Sequence, residues 1–329
     1  VKPIKYDITL TPNLDTFRFT GYEYIQIEII NSTASIVLNA LDLTIEDCHL
    51  TLQDDSTRIP ENVEFDSDKE TVNLKFSSPL PPGPVKLYLS FAGELNDKLR
   101  GFYRSEYTNK DGEQSYLAST QFEATDARRA FPCWDEPAVK AKFAVNLNIS
   151  QDLIAISNMP ISSTEVTAEN LKAVKFQETP IMSTYLLAFI VGDMACVQKN
   201  SKNGTLMRVW TTKGNESQGE FALNTSIKML DHFNHYFGIT YPLPKLDHIA
   251  IPDFAAGAME NWGAITYRET ALLVDEGNSS AGTKQIVATI IAHEMAHMWF
   301  GDLVTMDWWD DLWLNESFAS WMGDKITNE

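Results

Sequence analysis

Two histidines one helical turn apart have the clearest chemical potential in this sequence. His293 and His297 flank Glu294 in the segment His-Glu-Met-Ala-His. Residues four apart in an α-helix lie on one face, so both imidazoles can bind one zinc ion at ~2.0–2.1 Å. Glu294 points about a quarter-turn away, where a carboxylate reaches a metal-bound water without binding the metal. The pattern also arises by chance, and the histidines are then ordinary packed or surface helix residues.

A catalytic zinc site needs a third protein ligand and one open position. Glu316 is the candidate, because it follows His297 after eighteen intervening residues. Those residues contain a glycine turn, an extended stretch over 302–306 and the start of another helix. Such a connection lets the helix with Glu316 pack back against the helix with the two histidines. The sequence therefore predicts one Zn²⁺ per chain, bound by His293, His297 and Glu316. Asn315 begins an N-glycosylation sequon, but a glycan there would lie beside a metal ligand.

The elements that carry these residues are predicted to be helices. Apolar residues three or four apart over residues 223–237 predict an amphipathic helix that ends at the following glycine. A second helix is predicted for residues 283–300, again before a glycine, and a third for residues 310–322. The metal ligands would lie on the second and third helices.

The first half of the chain has the period of two that is typical of half-buried strands. Apolar and polar residues alternate over residues 24–29, 85–91 and 143–149. A proline-rich turn at residues 79–84 and a hairpin tip at residues 109–112 separate such runs. These patterns predict an antiparallel β domain.

The length of 329 residues suggests about two domains. The period changes near residue 195, which predicts an α+β fold. Residues 1–195 would form the N-terminal antiparallel β domain, and residues 196–329 would form a mixed domain that carries the metal ligands.

Charge and composition bear on partners and compartment. The net charge of −19 argues against nucleic acid and anionic membranes as partners, since both require a cationic surface. The longest apolar run, residues 185–191, is too short to span a bilayer. Three dispersed cysteines favour a reducing, cytoplasmic compartment, whereas seven sequons favour a secreted or lumenal one. The residue Val1 is not an initiator methionine, so a removed leader stays open, and no pattern fixes the oligomeric state.

Three motifs together resemble a known family. The His-Glu-x-x-His motif is followed by Glu316 at the spacing of gluzincin aminopeptidases, and residues 257–261 read Gly-Ala-Met-Glu-Asn. Residues 120–137 are similar to the corresponding block of puromycin-sensitive aminopeptidase. The chain thus resembles, over essentially its whole length, the N-terminal part of zinc aminopeptidases of the aminopeptidase N and puromycin-sensitive type. The resemblance implies an N-terminal β-saddle domain and then the first part of a thermolysin-like catalytic domain.

The resemblance also implies roles for individual residues. Glu294 would be the general base, and Glu260 and Glu123 would bind the α-ammonium group of a peptide. The substrate-binding set implied by the resemblance is Gln121, Glu123, Gly257, Ala258, Met259, Glu260 and Asn261. From the residues alone, Glu123 reads as a surface strand residue, Met259 as core, and Asn261 as a residue that shapes its loop.

Other residues are interpreted as structural. A salt-bridge network is predicted for Arg128, Arg129, Asp135 and Glu136. Asp302 and Thr305 are candidates to orient the histidines. Packing between the two ligand-bearing helices is predicted for Trp299, Trp308, Trp309, Trp313 and Trp321.

Three functional hypotheses follow. The first is a zinc metallo-aminopeptidase acting on peptides with a free N-terminus. The second is the related leukotriene-hydrolase type, which adds epoxide hydrolysis. The third is an inactive zinc-binding or interaction fragment, because the catalytic tyrosine and the second half of the catalytic domain of the family have no counterpart in these 329 residues.

Overall fold

A computed structural model describes residues 1–167 and 170–328. Within them the chain forms twenty β-strands and four α-helices. The strands are β1 (Lys2–Asn13), β2 (Arg18–Ile29), β3 (Thr33–Asn39), β4 (Leu43–Thr51), β5 (Thr57–Arg58), β6 (Asn62–Asp66), β7 (Thr71–Leu80), β8 (Gly83–Glu94), β9 (Gly101–Thr108), β10 (Gln114–Gln121), β11 (Lys142–Ser150), β12 (Ile154–Ser157), β13 (Ile161–Val166), β14 (Leu171–Phe176), β15 (Phe189–Gly192), β16 (Met194–Asn200), β17 (Leu206–Thr212), β18 (Lys245–Ile251), β19 (Ala258–Met259) and β20 (Ala264–Arg268). The α-helices are α1 (Glu220–Phe237), α2 (Glu269–Leu272), α3 (Ala281–His297) and α4 (Leu312–Asn328). Short 3₁₀ helices cover Ala127–Arg129, Thr184–Leu186, Glu216–Gly219 and Trp309–Asp311.

The chain folds into two compact units. The first contains residues 1–104, 120–151 and 161–185, and the second contains the remaining segments 105–119, 152–160 and 186–329. The last passage of the chain between the units therefore lies between residues 185 and 186. The predicted domain division at residue 195 stays a prediction. The predicted class, an N-terminal β domain followed by a mixed α and β part, is confirmed.

An eight-stranded sheet dominates the first unit. Its strand order is β13-β14-β11-β1-β2-β8-β4-β5, and every pair is antiparallel except β1 with β11. The alternation seen in the sequence is the burial pattern of the strands: Ile25 and Ile27 of β2 are buried between exposed or half-buried neighbours. Gly21 allows close packing, since a Cβ there would lie 2.7 Å from Leu10 and 2.8 Å from Phe91.

Part of the predicted salt-bridge network is present in the structure. Nε of Arg128 donates to Oδ2 of buried Asp135 at 2.9 Å, and Nη1 of Arg128 donates to Oε2 of Glu70 at 2.8 Å. Arg129 does not join this pair; its Nε donates to Oδ1 of Asp126 at 2.6 Å. The network therefore fixes the segment around the first 3₁₀ helix within the first unit.

The second unit contains a five-stranded mixed sheet of order β16-β17-β18-β20-β19. The pairs β17–β18 and β18–β20 are parallel, and β16–β17 and β19–β20 are antiparallel. Helix α1 ends at Gly238, which adopts the left-handed conformation with φ 64°, as the sequence predicts. No helix in the described part of the chain is long and apolar enough to cross a bilayer.

Helices α3 and α4 are the pair that carries the candidate metal ligands. Ser280 caps α3, because its Oγ accepts a hydrogen bond from the Thr283 amide. Gly323 lets α4 approach α3, since a Cβ there would lie 3.1 Å from the Thr289 carbonyl and 3.3 Å from Cβ of His293. The sequence correctly predicts both helices, with ends that differ by a few residues.

Two expectations about this region are wrong. Residues 302–306 do not run extended; the chain turns back on the end of α3, with the Asp302 amide donating to the His297 carbonyl at 3.0 Å. Among the tryptophans, Trp299 is buried, but Trp313 is 63% exposed and Trp321 is 53% exposed. These two side chains therefore do not pack between the ligand-bearing helices.

Candidate metal centre

The structure brings the three predicted metal ligands together. The Nε2 atoms of His293 and His297 lie 3.1 Å apart. Oε2 of Glu316 lies 3.2 Å from Nε2 of His293, and Oε1 lies 3.7 Å from Nε2 of His297. The two histidines are four positions apart on α3, so both imidazoles project from one face towards the carboxylate on α4.

These distances agree with the ligand set of a tetrahedral zinc ion. Two ligands bound at ~2.0–2.1 Å to a tetrahedral ion lie about 3.3–3.4 Å from each other. The pairs His293–His297 and His293–Glu316 lie within a few tenths of an ångström of that spacing. Two imidazoles and one carboxylate are also the donors of catalytic zinc sites that keep one position for water or substrate. The residues present therefore fit zinc.

A hydrogen bond fixes the tautomer of His297. Its Nδ1 lies 2.8 Å from Oδ1 of Asn315 and 3.2 Å from the Phe300 carbonyl, and both of those oxygens only accept. The hydrogen of the neutral ring is therefore on Nδ1, and Nε2 keeps its lone pair for a metal. Burial lowers the pKa of His297, which favours this neutral form.

Asn315 and Ser320 are the residues of the site that the sequence analysis missed. Asn315 is buried, and Ser320 places its Oγ 3.4 Å from Nδ1 of His293. The burial of Asn315 supports the expectation that its sequon carries no glycan. Thr305, expected to orient a histidine, donates its hydroxyl to the backbone carbonyls of Gly301 and Asp302. The position of Asn315 next to Glu316 could have indicated this role. Adjacent residues of one helix can contact different sides of the same side chain on a neighbouring helix.

Glycine at position 301 makes room for this contact. Gly301 has φ 142°, and a Cβ there would lie 2.8 Å from Oδ1 of Asn315 and 3.1 Å from Nδ1 of His297. A larger residue would separate the two side chains. The glycine that ends the helical segment in the sequence is therefore also part of the site.

Carboxylates with different environments surround the ligands. Glu294 is buried on α3, and its charge contributes to raising the pKa of Tyr267, after burial itself. Burial alone would raise the pKa of Glu316, but its hydrogen bond to His293 and the neighbouring imidazoles hold that pKa below its ordinary value. Glu316 is therefore ionised at neutral pH, as a metal ligand must be.

The Gly-Ala-Met-Glu-Asn segment lies in the same unit and forms β19 and the turn into β20. Gly257 is exposed, and a Cβ there would meet no described atom within 4 Å. Met259 is buried, and Asn261 donates from Nδ2 to Oγ1 of Thr266 at 3.0 Å. Asn261 thus shapes this turn, which is the interpretation drawn from the residues alone.

Glu260 is the buried carboxylate of this segment. Burial, together with the neighbouring charge of Glu316, raises the pKa of Glu260 to about 7. A carboxyl group whose pKa lies near 7 and that neighbours another carboxylate favours the binding of a cation. Gln121 is the last residue of β10 and Glu123 follows it, both in the first unit. The implied roles of Gln121 and Glu123 in substrate binding stay predictions.

Comparison with known proteins places the chain in a family. Residues 2–186 match the Peptidase M1 N-terminal domain, and residues 221–329 match the Peptidase family M1 domain. The chain is similar to Aminopeptidase M1 of Arabidopsis thaliana, with 52% identity over 99% of this chain and 37% of the relative. It is also similar to the Puromycin-sensitive aminopeptidase of Caenorhabditis elegans, with 47% identity over 98% of this chain and 34% of the relative. Aminopeptidase N of Acetobacter pasteurianus is 42% identical over 98% of this chain and 89% of that protein.

These relatives differ in length. The chain spans about 37% of the length of the plant relative. The two family matches leave only residue 1 and residues 187–220 unmatched, and the second match includes all three candidate metal ligands. The chain belongs to peptidase family M1.

Proposed function

We propose that the protein is a zinc-dependent aminopeptidase, which releases N-terminal amino acids from peptides with a free N-terminus. The observation that carries the proposal is the convergence of His293, His297 and Glu316, with ligand atoms within 4.8 Å of one another, beside buried Glu294. The names of the relatives, all aminopeptidases, support the same activity.

The side chains of His293, His297 and Glu316 would hold the ion, and three protein ligands would leave the fourth position of a tetrahedral zinc ion for water or substrate. Bound zinc would polarise the scissile carbonyl and lower the pKa of a water to about 7. Glu294 lies one residue from His293 on α3, where its carboxylate can accept the water proton and return it to the leaving amine. Burial of Glu294 keeps bulk water from that proton transfer.

Specificity for the chain end would come from Glu260. A charged hydrogen bond from an α-ammonium group to a carboxylate contributes about 1.5–3 kcal/mol. Arrival of the cation would stabilise the ionised form of Glu260, whose pKa is about 7 in the free site. An N-acetylated peptide offers no cation, and it would leave a buried carboxylate without that partner. Met259 beside Glu260 would contact the first side chain, and exposed Gly257 would contact the peptide backbone.

The test compares an aminoacyl amide with its N-acetyl form on the intact, zinc-loaded protein. We expect hydrolysis of the free-amine substrate, loss of activity with a chelator and no hydrolysis of the acetylated substrate. Glu294→Gln should lower kcat by about 10²–10⁴-fold. Glu269→Gln, a half-buried glutamate at the start of α2, is the matched control and should leave kcat unchanged. Equal cleavage of both substrates would contradict the exopeptidase proposal.

The hypothesis of a zinc-binding fragment with little turnover keeps one supporting observation. Trp313 and Trp321 on α4 are more than half exposed, although large aromatic side chains are usually covered. Elemental analysis of the isolated 329-residue chain tests it. One zinc per chain together with negligible kcat would support the fragment hypothesis, and a kcat in the ordinary range of enzymes, about 1–10³ s⁻¹, would contradict it.

A further inference from the structure

A buried lysine lies behind the Gly-Ala-Met-Glu-Asn segment. Lys245 is the first residue of β18 and its side chain is fully buried. Its Nζ donates three hydrogen bonds: to the Ser157 carbonyl at 2.6 Å, to Oδ2 of Asp247 at 2.7 Å and to the Gly263 carbonyl at 2.7 Å. An ammonium group has three donors, so all of them are used within the second unit.

The lysine is not needed to neutralise Asp247. Arg208 on β17 already binds that carboxylate with two bonds, from Nε to Oδ1 at 2.6 Å and from Nη2 to Oδ2 at 2.8 Å. Burying a further cation is costly unless it forms specific bonds. Unlike Arg208, Lys245 also donates to the carbonyls of Ser157 and Gly263.

The Gly263 carbonyl closes a turn that begins at Glu260. Along this turn the Asn261 carbonyl accepts from the Ala264 amide at 2.9 Å, and the Trp262 carbonyl accepts from Nδ2 of Asn158 at 3.0 Å. The Gly263 carbonyl accepts from the Asp247 amide at 3.0 Å as well as from Lys245. Each carbonyl after Glu260 therefore has a defined donor.

Gly263 itself has little freedom to move. It adopts φ 80°, and a Cβ there would lie 2.6 Å from the Asn158 carbonyl. The backbone at Gly263 must therefore pass close to the Asn158 carbonyl in a left-handed conformation. Lys245 links the Gly263 carbonyl to the carbonyl of Ser157, the residue before Asn158. The turn is thereby attached to both β18 and β12.

We propose that Lys245 is a positioning residue for Glu260. By holding the Gly263 carbonyl, it fixes the turn and so the place of the buried Glu260 carboxylate. This inference rests on the proposed function, in which Glu260 binds the α-ammonium group. Without the lysine the turn loses its attachment to Ser157, and the carboxylate no longer lies at a fixed distance from the substrate amine.

The test uses the intact, zinc-loaded protein with Lys245→Met, and Arg208→Met as the matched control. Both variants remove one buried cation from Asp247, but only the first removes bonds to the turn. For an aminoacyl 4-nitroanilide we expect Lys245→Met to raise KM by about tenfold with a smaller change in kcat, because it disturbs binding of the amine. Arg208→Met should change KM by less than about twofold.

A second measurement does not depend on activity. Hydrogen–deuterium exchange over residues 257–266 should be faster in Lys245→Met than in the parent and in Arg208→Met. Lys245→Gln keeps one donor group and should give an intermediate KM and intermediate exchange, which covers the case in which the methionine variant fails to fold.

The outcomes separate the two proposals. Unchanged exchange over residues 257–266 in the Lys245 variants, or a KM within twofold of the parent, would overturn the positioning role while leaving the aminopeptidase proposal intact. An equal rise in KM for Arg208→Met would also overturn it. A parent protein without aminopeptidase activity would overturn the proposed function, and the exchange experiment would then still decide whether Lys245 fixes the turn.

Discussion

Replacing Asn315 with alanine should weaken zinc binding although Asn315 is not a ligand. Its Oδ1 accepts the Nδ1 hydrogen of His297 at 2.8 Å, so it fixes both the tautomer and the ring orientation of that ligand. Loss of such a partner typically lowers metal affinity by about 10–100-fold, which corresponds to about 1.4–2.7 kcal/mol. The structure favours the lower part of this range, because the Phe300 carbonyl, 3.2 Å from the same Nδ1, remains as a second acceptor for the buried ring.

The assay is competition for zinc between the protein and a chromophoric chelator at pH 7.5. Asn315→Asp keeps an acceptor for the ring and should lose less affinity than Asn315→Ala, although it also removes the amide hydrogen bond to Glu260. Ser320→Ala is the control on the other ligand: the Ser320 hydroxyl is exposed and lies 3.4 Å from His293, so its loss should change affinity by less than about threefold. A zinc affinity of Asn315→Ala within twofold of the parent would refute the reasoning, as would an equal loss in Asn315→Asp.

The remaining predictions concern stability. Glu23 is fully buried on β2, its oxygens have no hydrogen-bond partner among the described residues, and burial raises its pKa well above 4.5. A raised folded-state pKa contributes stability that is complete below about pH 4.5 and is lost as the pH rises through the folded-state pKa. Glu23→Met should therefore raise the free energy of unfolding at pH 8 by about 1–3 kcal/mol, measured by urea titration. The free energy of unfolding should also decline less between pH 5 and pH 8 in the variant than in the parent. A variant that is less stable than the parent at pH 8 would contradict this. Gly323→Ala should lower both the melting temperature and the zinc affinity, because the added Cβ would press on the Thr289 carbonyl and on His293. Gly282→Ala in the first turn of α3 is the control. Its Cβ has ordinary space, so both quantities should be unchanged or slightly raised.

The convergence of the candidate metal ligands could be predicted from the sequence because their geometry is mostly local. The spacing of His293 and His297 on one helix determines that both rings share a face, whatever surrounds the helix. Glu316 needed one further assumption, that the next helix packs back against the first. The strands could be predicted as well, because a half-buried strand alternates apolar residues, such as Ile25 and Ile27, with polar ones.

Features that depend on long-range packing could not be predicted in this way. The parallel pairing of β1 with β11 joins strands more than a hundred residues apart, and no local pattern encodes it. The interleaving of segments 105–119 and 152–160 with the second unit is of the same kind. The expectation for residues 302–306 failed because backbone hydrogen bonds to the end of α3 outweighed the β-propensity of that stretch.

Consecutive residues on α4 contact the two nitrogens of one imidazole. Oδ1 of Asn315 lies 2.8 Å from Nδ1 of His297, and Oε1 of Glu316 lies 3.7 Å from Nε2 of the same ring. Adjacent helix residues point about 100° apart, so one side chain reaches the back of the ring while the next reaches its metal-facing edge. The two contacts therefore depend on a single register of α4 against α3. A shift of α4 by one residue would rotate both side chains away together. The glycines at 301 and 323 permit the observed register, because a Cβ at 301 would lie 2.8 Å from Oδ1 of Asn315 and a Cβ at 323 would lie 3.3 Å from Cβ of His293.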